Sequence, residues 1–140
     1  MTQRHMLDMV HDQKPVMLTA DKSVKDACEL MRTRRVGAVL VIDLEDCLVG
    51  IFTGRDAVCR VAAEGLDPSR TRLEEVMTAK PATMEPGKTA IDALRLMQDG
   101  GYRHLPVTKD NRVVGIVSKG DFRGLEQAQL DQETELWERI

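Results

Sequence analysis

Apolar and polar positions change their period several times along this chain, and each change marks an element. After Pro15 the run VMLT reads as a short strand or extended segment. Ser23-x-x-Asp26 then opens a helix, because a hydroxyl at that place can accept an orphan amide proton. Val24, Ala27, Cys28 and Met31 follow at helical spacing and predict one buried stripe. GAVLVID and CLVGIFT read as two strands joined by an acidic turn around Asp43 to Asp46. A second helix is expected to begin near Asp56 and stop near Gly65.

The same succession then repeats. ATME matches VMLT, and Thr89-x-x-Asp92 opens a helix with Ile91, Leu94 and Met97 on its apolar stripe. RHLPVTK and RVVGIVS predict two strands around a Lys109 to Arg112 turn, with a further helix near Asp121. Pro106 has no amide proton, so its strand is an edge or turns that position away from a neighbour. The Met and Cys residues of both stripes suit core packing better than any cofactor role. Laid against itself, the chain puts Pro15 on Pro81, Lys22 on Lys88, Asp26 on Asp92, Met31 on Met97 and Val41 on Val107. One residue is lost in the second turn, after which Gly50 meets Gly115, Thr53 meets Ser118 and Asp56 meets Asp121. Two copies are too few for a solenoid and predict a pseudo-two-fold pair, each of the order β-α-β-β-α, in an α+β (α/β) fold.

The expected organisation is an N-terminal extension over 1–13, a first repeat over 14–65, a second repeat over 80–125 and a helical C-terminal extension over 126–140. The extension at the start holds Met6, Met9 and Val10 and suits a short helix; near the end Leu125, Ala128, Leu136, Trp137 and Ile140 suit a partial apolar stripe. Residues 66–79 read as linker and short helix: GLDPSRTR, Gly65 to Arg72, is the linker by its Gly, Pro and Ser content, and Thr71-x-x-Glu74 would cap a helix that runs through Met77.

Composition narrows the chemistry. With 42% hydrophobic and 31% charged residues, the chain can bury a core beneath a solvated surface. A net charge of −3, and only one Trp, one Tyr and two Phe, argue against nucleic acid as a partner. No apolar run approaches the roughly 20 residues of a membrane span, and Asp8, His11 and Asp12 interrupt any signal-like core, so a cytoplasmic protein is expected. Cys28, Cys47 and Cys59 are odd in number, sit among apolar residues and are expected to be buried free thiols. His5, His11 and His104 do not cluster at ligand spacing, which speaks against a metal. No nucleophile elbow, HExxH, Walker or GxGxxG pattern is present, so no enzymatic activity and no required cofactor are expected.

Two segments remain distinctive, GIFTGRD at 50–56 and GIVSKGD at 115–121. With the Pro-preceded first strands, Leu105-Pro106-Val107 and the stretch EVMTAKPATMEPGKTAIDAL, they make the chain resemble a tandem pair of cystathionine-β-synthase (CBS) domains, a stand-alone Bateman module, over roughly residues 8 to 125. The resemblance implies repeats packed through their sheets, with two clefts that take adenosine-containing ligands such as AMP, ADP, ATP, S-adenosylmethionine or NAD(H). It implies that Asp56 and Asp121 hold ribose hydroxyls and that Thr53 and Ser118 contact the adjoining phosphate. Asp56 would work with Lys80, Pro81, Ala82, Thr83 and Met84, and Asp121 with Pro15 to Thr19, including Val16 and Met17.

Elementary chemistry supports that assignment, since a vicinal diol presents two donors to the acceptor oxygens of a carboxylate. Asp56 and Asp121 are equally good helix caps; their repetition in matched register favours ligand contact. Arg55, Lys119, Arg103 and His104 are the cations near these positions, and each reads equally as a surface charge. Gly37 stands where the second repeat has Arg103, so the two clefts are expected to be unequal, the one near Arg103 favouring more phosphate. The expected function is a regulatory ligand sensor, forming a homodimer and passing its signal to a separate effector protein. A structural interaction module with empty clefts is the alternative, and a nucleotide-hydrolysing enzyme a more distant one.

Overall fold

The computed structural model describes residues 4–10 and 13–122, so the predicted C-terminal stripe lies outside the described residues. The described residues divide into two compact units, one of residues 14–81 with 110–113, the other of 4–10, 13, 82–109 and 114–122.

The first unit is built on a four-stranded sheet in the order β1-β2-β3-β4. Its strands are β1 (Met17–Thr19), β2 (Ala38–Ile42), β3 (Leu48–Thr53) and β4 (Thr78–Ala79). β1 and β2 are parallel, and the crossover they need is helix α2 (Val24–Arg34). Ser23 caps α2 as its sequence requires, accepting the Asp26 N–H at 3.1 Å. β2 and β3 form the predicted hairpin, with Val39 opposite Phe52 and Leu40 opposite Ile51. Val39, Val41 and Phe52 are fully buried with Val16, Val24, Ala27 and Val61 in one core.

Three departures from the sequence reading occur here. The helix after β3 is one turn of α-helix, α3 (Gly54–Asp56), continued as a π-helix over Ala57–Ala62. This run turns Val61 into the core and leaves Val58 and Cys59 outside, so Cys59 is exposed, and Cys28 and Cys47 are half-buried rather than fully buried. The short helix α4 (Leu73–Val76) is capped at Arg72, one residue later than the predicted Thr71, and ends at Val76 rather than Met77. Glu75 rather than Glu74 accepts the Arg72 N–H, at 2.6 Å, while the Thr71 hydroxyl donates to the Asp67 carbonyl at 2.8 Å. Burial of Leu73 and Val76 in the core sets that register.

In the other unit, helix α1 (Met6–Val10) accompanies α5 (Ala90–Gly100) and a two-stranded sheet of β5 (His104–Lys109) and β6 (Arg112–Ser118), of which Arg112 and Val113, with the turn before them, count with the first unit. Thr89 and Asp92 close a reciprocal capping box on α5, and Gly101 ends the helix at φ 71. The turn between β5 and β6 places Asp110 and Asn111 at φ 52 and 64, as a tight hairpin of this kind demands. ATME, predicted as a counterpart to VMLT, contributes a single bridge between Met84 and Val107. The cause is Pro106. In the first unit the Leu40 N–H donates to Val16 at 2.9 Å, and Pro106, which stands at the matching place, has no proton to give.

The repeat extends further than the sequence comparison reached. Met6 N–H donates to Lys88 as Leu73 N–H donates to Lys22 (2.8 and 2.9 Å), and Ala90 N–H to Arg4 as Val24 N–H to Thr71 (2.7 and 2.8 Å). His5 is capped by Asp8 as Arg72 is by Glu75. Helix α1 is therefore the counterpart of α4. Each packs in the unit whose repeat it does not directly precede in sequence. Met6 and Leu73, both fully buried, each add about 1.5–3 kcal/mol of apolar stabilisation.

These helices explain the glycines of the two distinctive segments. A Cβ on Gly50 would collide with the flexible thioether of Met77, and one on Gly115 would lie 2.5 Å from Val10 Cβ. Val10 is branched at that carbon and cannot yield as Met77 can. Gly115→Ala is therefore expected to destabilise the protein by about 1–3 kcal/mol, and Gly50→Ala by less. Urea denaturation of the two variants checks this, and a larger loss for Gly50→Ala would contradict it.

Candidate functional site

Each distinctive segment ends in the same local structure. Strand β3 runs out at Thr53, whose backbone N–H donates to Asp56 Oδ2 at 2.9 Å and whose hydroxyl lies 3.2 Å from the same oxygen. The Asp56 N–H in turn donates to Thr53 Oγ1 at 3.2 Å. Strand β6 runs out at Ser118, and its N–H donates to Asp121 Oδ2 at 2.7 Å across a turn of 3-10 helix, Lys119–Asp121. The following amides are anchored alike, Gly54 N–H to the Gly37 carbonyl at 3.1 Å and Lys119 N–H to the Arg103 carbonyl at 2.9 Å. Both aspartates are thus caps. A carboxylate offers about four acceptor sites, so capping fixes its position without exhausting it.

The two loops differ in what surrounds them. Asp56 is buried, and its Oδ1 lies 3.6 Å from Arg60 Nε. Arg60 also donates to the carbonyls of Val76 and Met77 at 3.2 and 3.1 Å, at the end of α4. Sequence reasoning missed this residue; the Asp-x-x-x-Arg spacing was the available signal. Asp121 is exposed, the Arg4 guanidinium donates to its carbonyl at 3.3 Å, and Leu125 stands at the sequence position matching Arg60. His104 is half-buried, and burial pushes its pKa below the ordinary value; the Asp121 charge opposes that shift and Arg103 adds to it.

Of the other predicted residues, Val16 puts its side chain in the first unit's core, while Met17 and Lys80 are exposed on the same unit with Pro81 half-buried. Lys80 holds a left-handed φ of 49, with its N–H on the Val49 carbonyl at 3.2 Å. Ala82 and the exposed Thr83 belong to the unit of Asp121. Arg55, Arg103 and Lys119 are exposed. Among the described residues, no three His, Cys, Asp or Glu side chains group as a metal site. Nor is any helix there long and apolar enough to cross a membrane.

The family model of the CBS domain matches the chain twice, over residues 8–62 and 73–126. A CBS domain-containing protein of Arabidopsis thaliana, CBSCBSPB2, is 40% identical over 104 residues, 74% of this chain and 19% of that relative's length. The chain thus spans about a fifth of that curated relative. The crystal structure of the CBS-domain containing protein ATU1752 from Agrobacterium tumefaciens superposes with a TM-score of 0.75 at 29% identity, covering 84% of this chain and 89% of that one. The CBS domain protein PAE2072 from Pyrobaculum aerophilum, complexed with AMP, shares the fold with a TM-score of 0.81 at 20% identity, covering 91% and 98%.

The position of His104 gives a pH dependence of definite sign. Its folded pKa lies below the value near 6.5 of the unfolded chain, so the unfolded state binds the proton first. Stability is therefore lost as pH falls from 6.5 through the folded pKa. His104→Gln should flatten that slope in urea midpoints measured between about pH 7 and 5. An unchanged slope would show that His104 is not its source.

Proposed function

Since the chain belongs to the CBS-domain family, we propose that it is a non-enzymatic regulatory module whose two repeats bind an adenosine-containing ligand. The observation that carries this reading is the duplicated loop, in which a strand ends on a hydroxyl residue whose N–H is accepted by a carboxylate three residues on, in both repeats. Such a carboxylate is held before any ligand arrives, which lowers the ordering cost of binding. Its remaining acceptor sites suit the two hydroxyls of a ribose, and the Thr53 or Ser118 oxygen suits the adjoining phosphate. AMP in a protein of the same fold supports this class of ligand. Arg103 and Arg4 at the second repeat favour a ligand with more phosphate there than at the first, where Gly37 stands in place of Arg103; the loop cations Arg55 and Lys119 balance each other.

Binding becomes a signal only when the ligand prefers one of two arrangements of the protein. We assign the output to a homodimer and a separate effector protein. A specific observation favours a second reading for the first repeat: Asp56 is buried and already engaged on both oxygens. If that engagement is permanent, this repeat serves as scaffold and the second alone binds.

A thermal-shift panel of AMP, ADP, ATP, S-adenosylmethionine and NADH tests the proposal. A ligand at a hundred times its Kd adds about 2.7 kcal/mol. At least one member is expected to raise Tm at millimolar concentration, with Asp121→Ala removing most of the shift and Asp56→Ala a smaller part. No shift from any member would overturn the sensor reading in favour of an interaction module. Loss of ATP to product during incubation would overturn the non-enzymatic assignment.

A further inference from the structure

Arg60 lies in the π-helical run that follows the first capped carboxylate, four residues beyond it. The wider turn of a π-helix brings such a pair more nearly into line along the axis than the α-helical turn of 3.6 residues. The guanidinium holds three acceptors from two directions. Its Nε faces Asp56 Oδ1 at 3.6 Å, and one terminal nitrogen donates to the Val76 and Met77 carbonyls at 3.2 and 3.1 Å. Those carbonyls end α4, where intrahelical donors run out, so a cation there satisfies groups that the helix leaves open. A guanidinium fixed on backbone is a fixed point of charge. Asp56 is consequently pinned on one oxygen by Arg60 and on the other by the Thr53 N–H.

We infer that Arg60 is a positioning residue for ligand binding at the first repeat: it ties the Asp56 carboxylate to the end of α4 and presents it to the ribose. The inference deepens the nucleotide reading given above and rests on it for its ligand. It also makes the repeats unequal in a second way. The sequence position matching Arg60 holds Leu125, so Asp121 has no equivalent cation from that position. A residue that only filled the α4 carbonyls would affect stability and leave the carboxylate in place.

Two readouts separate these roles. The first needs no ligand. Because the Thr53 amide is bonded to Asp56 Oδ2, its hydrogen exchange reports the carboxylate's position. Arg60→Gln should speed exchange at Thr53 several-fold relative to Phe52, which lies one residue back in β3. The second is AMP affinity in an Asp121→Ala background, which isolates the first repeat. Arg60→Gln should weaken it about tenfold. Arg60→Lys, which keeps the charge and loses the planar fork, should fall between the two. Unchanged Thr53 exchange in Arg60→Gln would overturn the positioning role. Faster exchange with unaltered AMP affinity would confine Arg60 to structure and overturn its part in binding. If the parent protein binds no AMP, the nucleotide reading fails and takes the ligand half of this inference with it, while Thr53 exchange still decides whether Arg60 holds the carboxylate.

Discussion

Close approach of a short helix to a glycine in a strand is the contact on which each unit depends. In the first unit the absence of a side chain at Gly50 admits Met77, and α4 settles with Leu73 and Val76 in the core. That position brings the last carbonyls of α4 to Arg60, and through it to Asp56. In the second unit Val10 occupies the space over Gly115, and Gln13 beyond it accepts the Ile116 N–H at 2.9 Å. From either glycine the strand has only three more residues before its capped loop. The site geometry is therefore an extension of core packing, and this is why a small residue belongs at the head of both segments.

The two loops share a frame and differ in setting. The carboxylate on the strand-end amide (2.9 and 2.7 Å) and the anchored amide after it (3.1 and 2.9 Å) are duplicated to within a few tenths of an ångström. Around the first, a buried carboxylate faces an arginine that is itself fixed on backbone. Around the second, an exposed carboxylate has Arg4 at its carbonyl and a half-buried His104 whose titration feels its charge. Under the function proposed above, one guarded and one open carboxylate would let the protein respond over two concentration ranges of one ligand, or to two ligands, with no change of fold.

What the sequence revealed follows from how local each determinant is. Ser23 and Thr89 cap helices through residues three positions on, so both starts were legible. The acidic and Asn-containing turns set the two hairpins in the same local way. The leading helices were not legible as a pair, because α1 and α4 match with one extra residue of offset and by class of side chain: Met6 with Leu73, Asp8 with Glu75. ATME looked equivalent to VMLT, yet its pairing is limited by Pro106, more than twenty residues away. Arg60 was passed over for a similar reason, since two of its three partners are carbonyls, which carry no side-chain signature. The two readings of Asp56 and Asp121, cap and ligand contact, are not exclusive: the structure makes both residues caps and leaves acceptor capacity for more.

The most direct test of the central claim is a crystal structure of the protein grown with AMP. Expected there is a ribose with its two hydroxyls within hydrogen-bond distance of Asp121, Asp56 or both, and phosphate beside Ser118 or Thr53. AMP bound elsewhere, with both carboxylates engaged only in their caps, would contradict that claim.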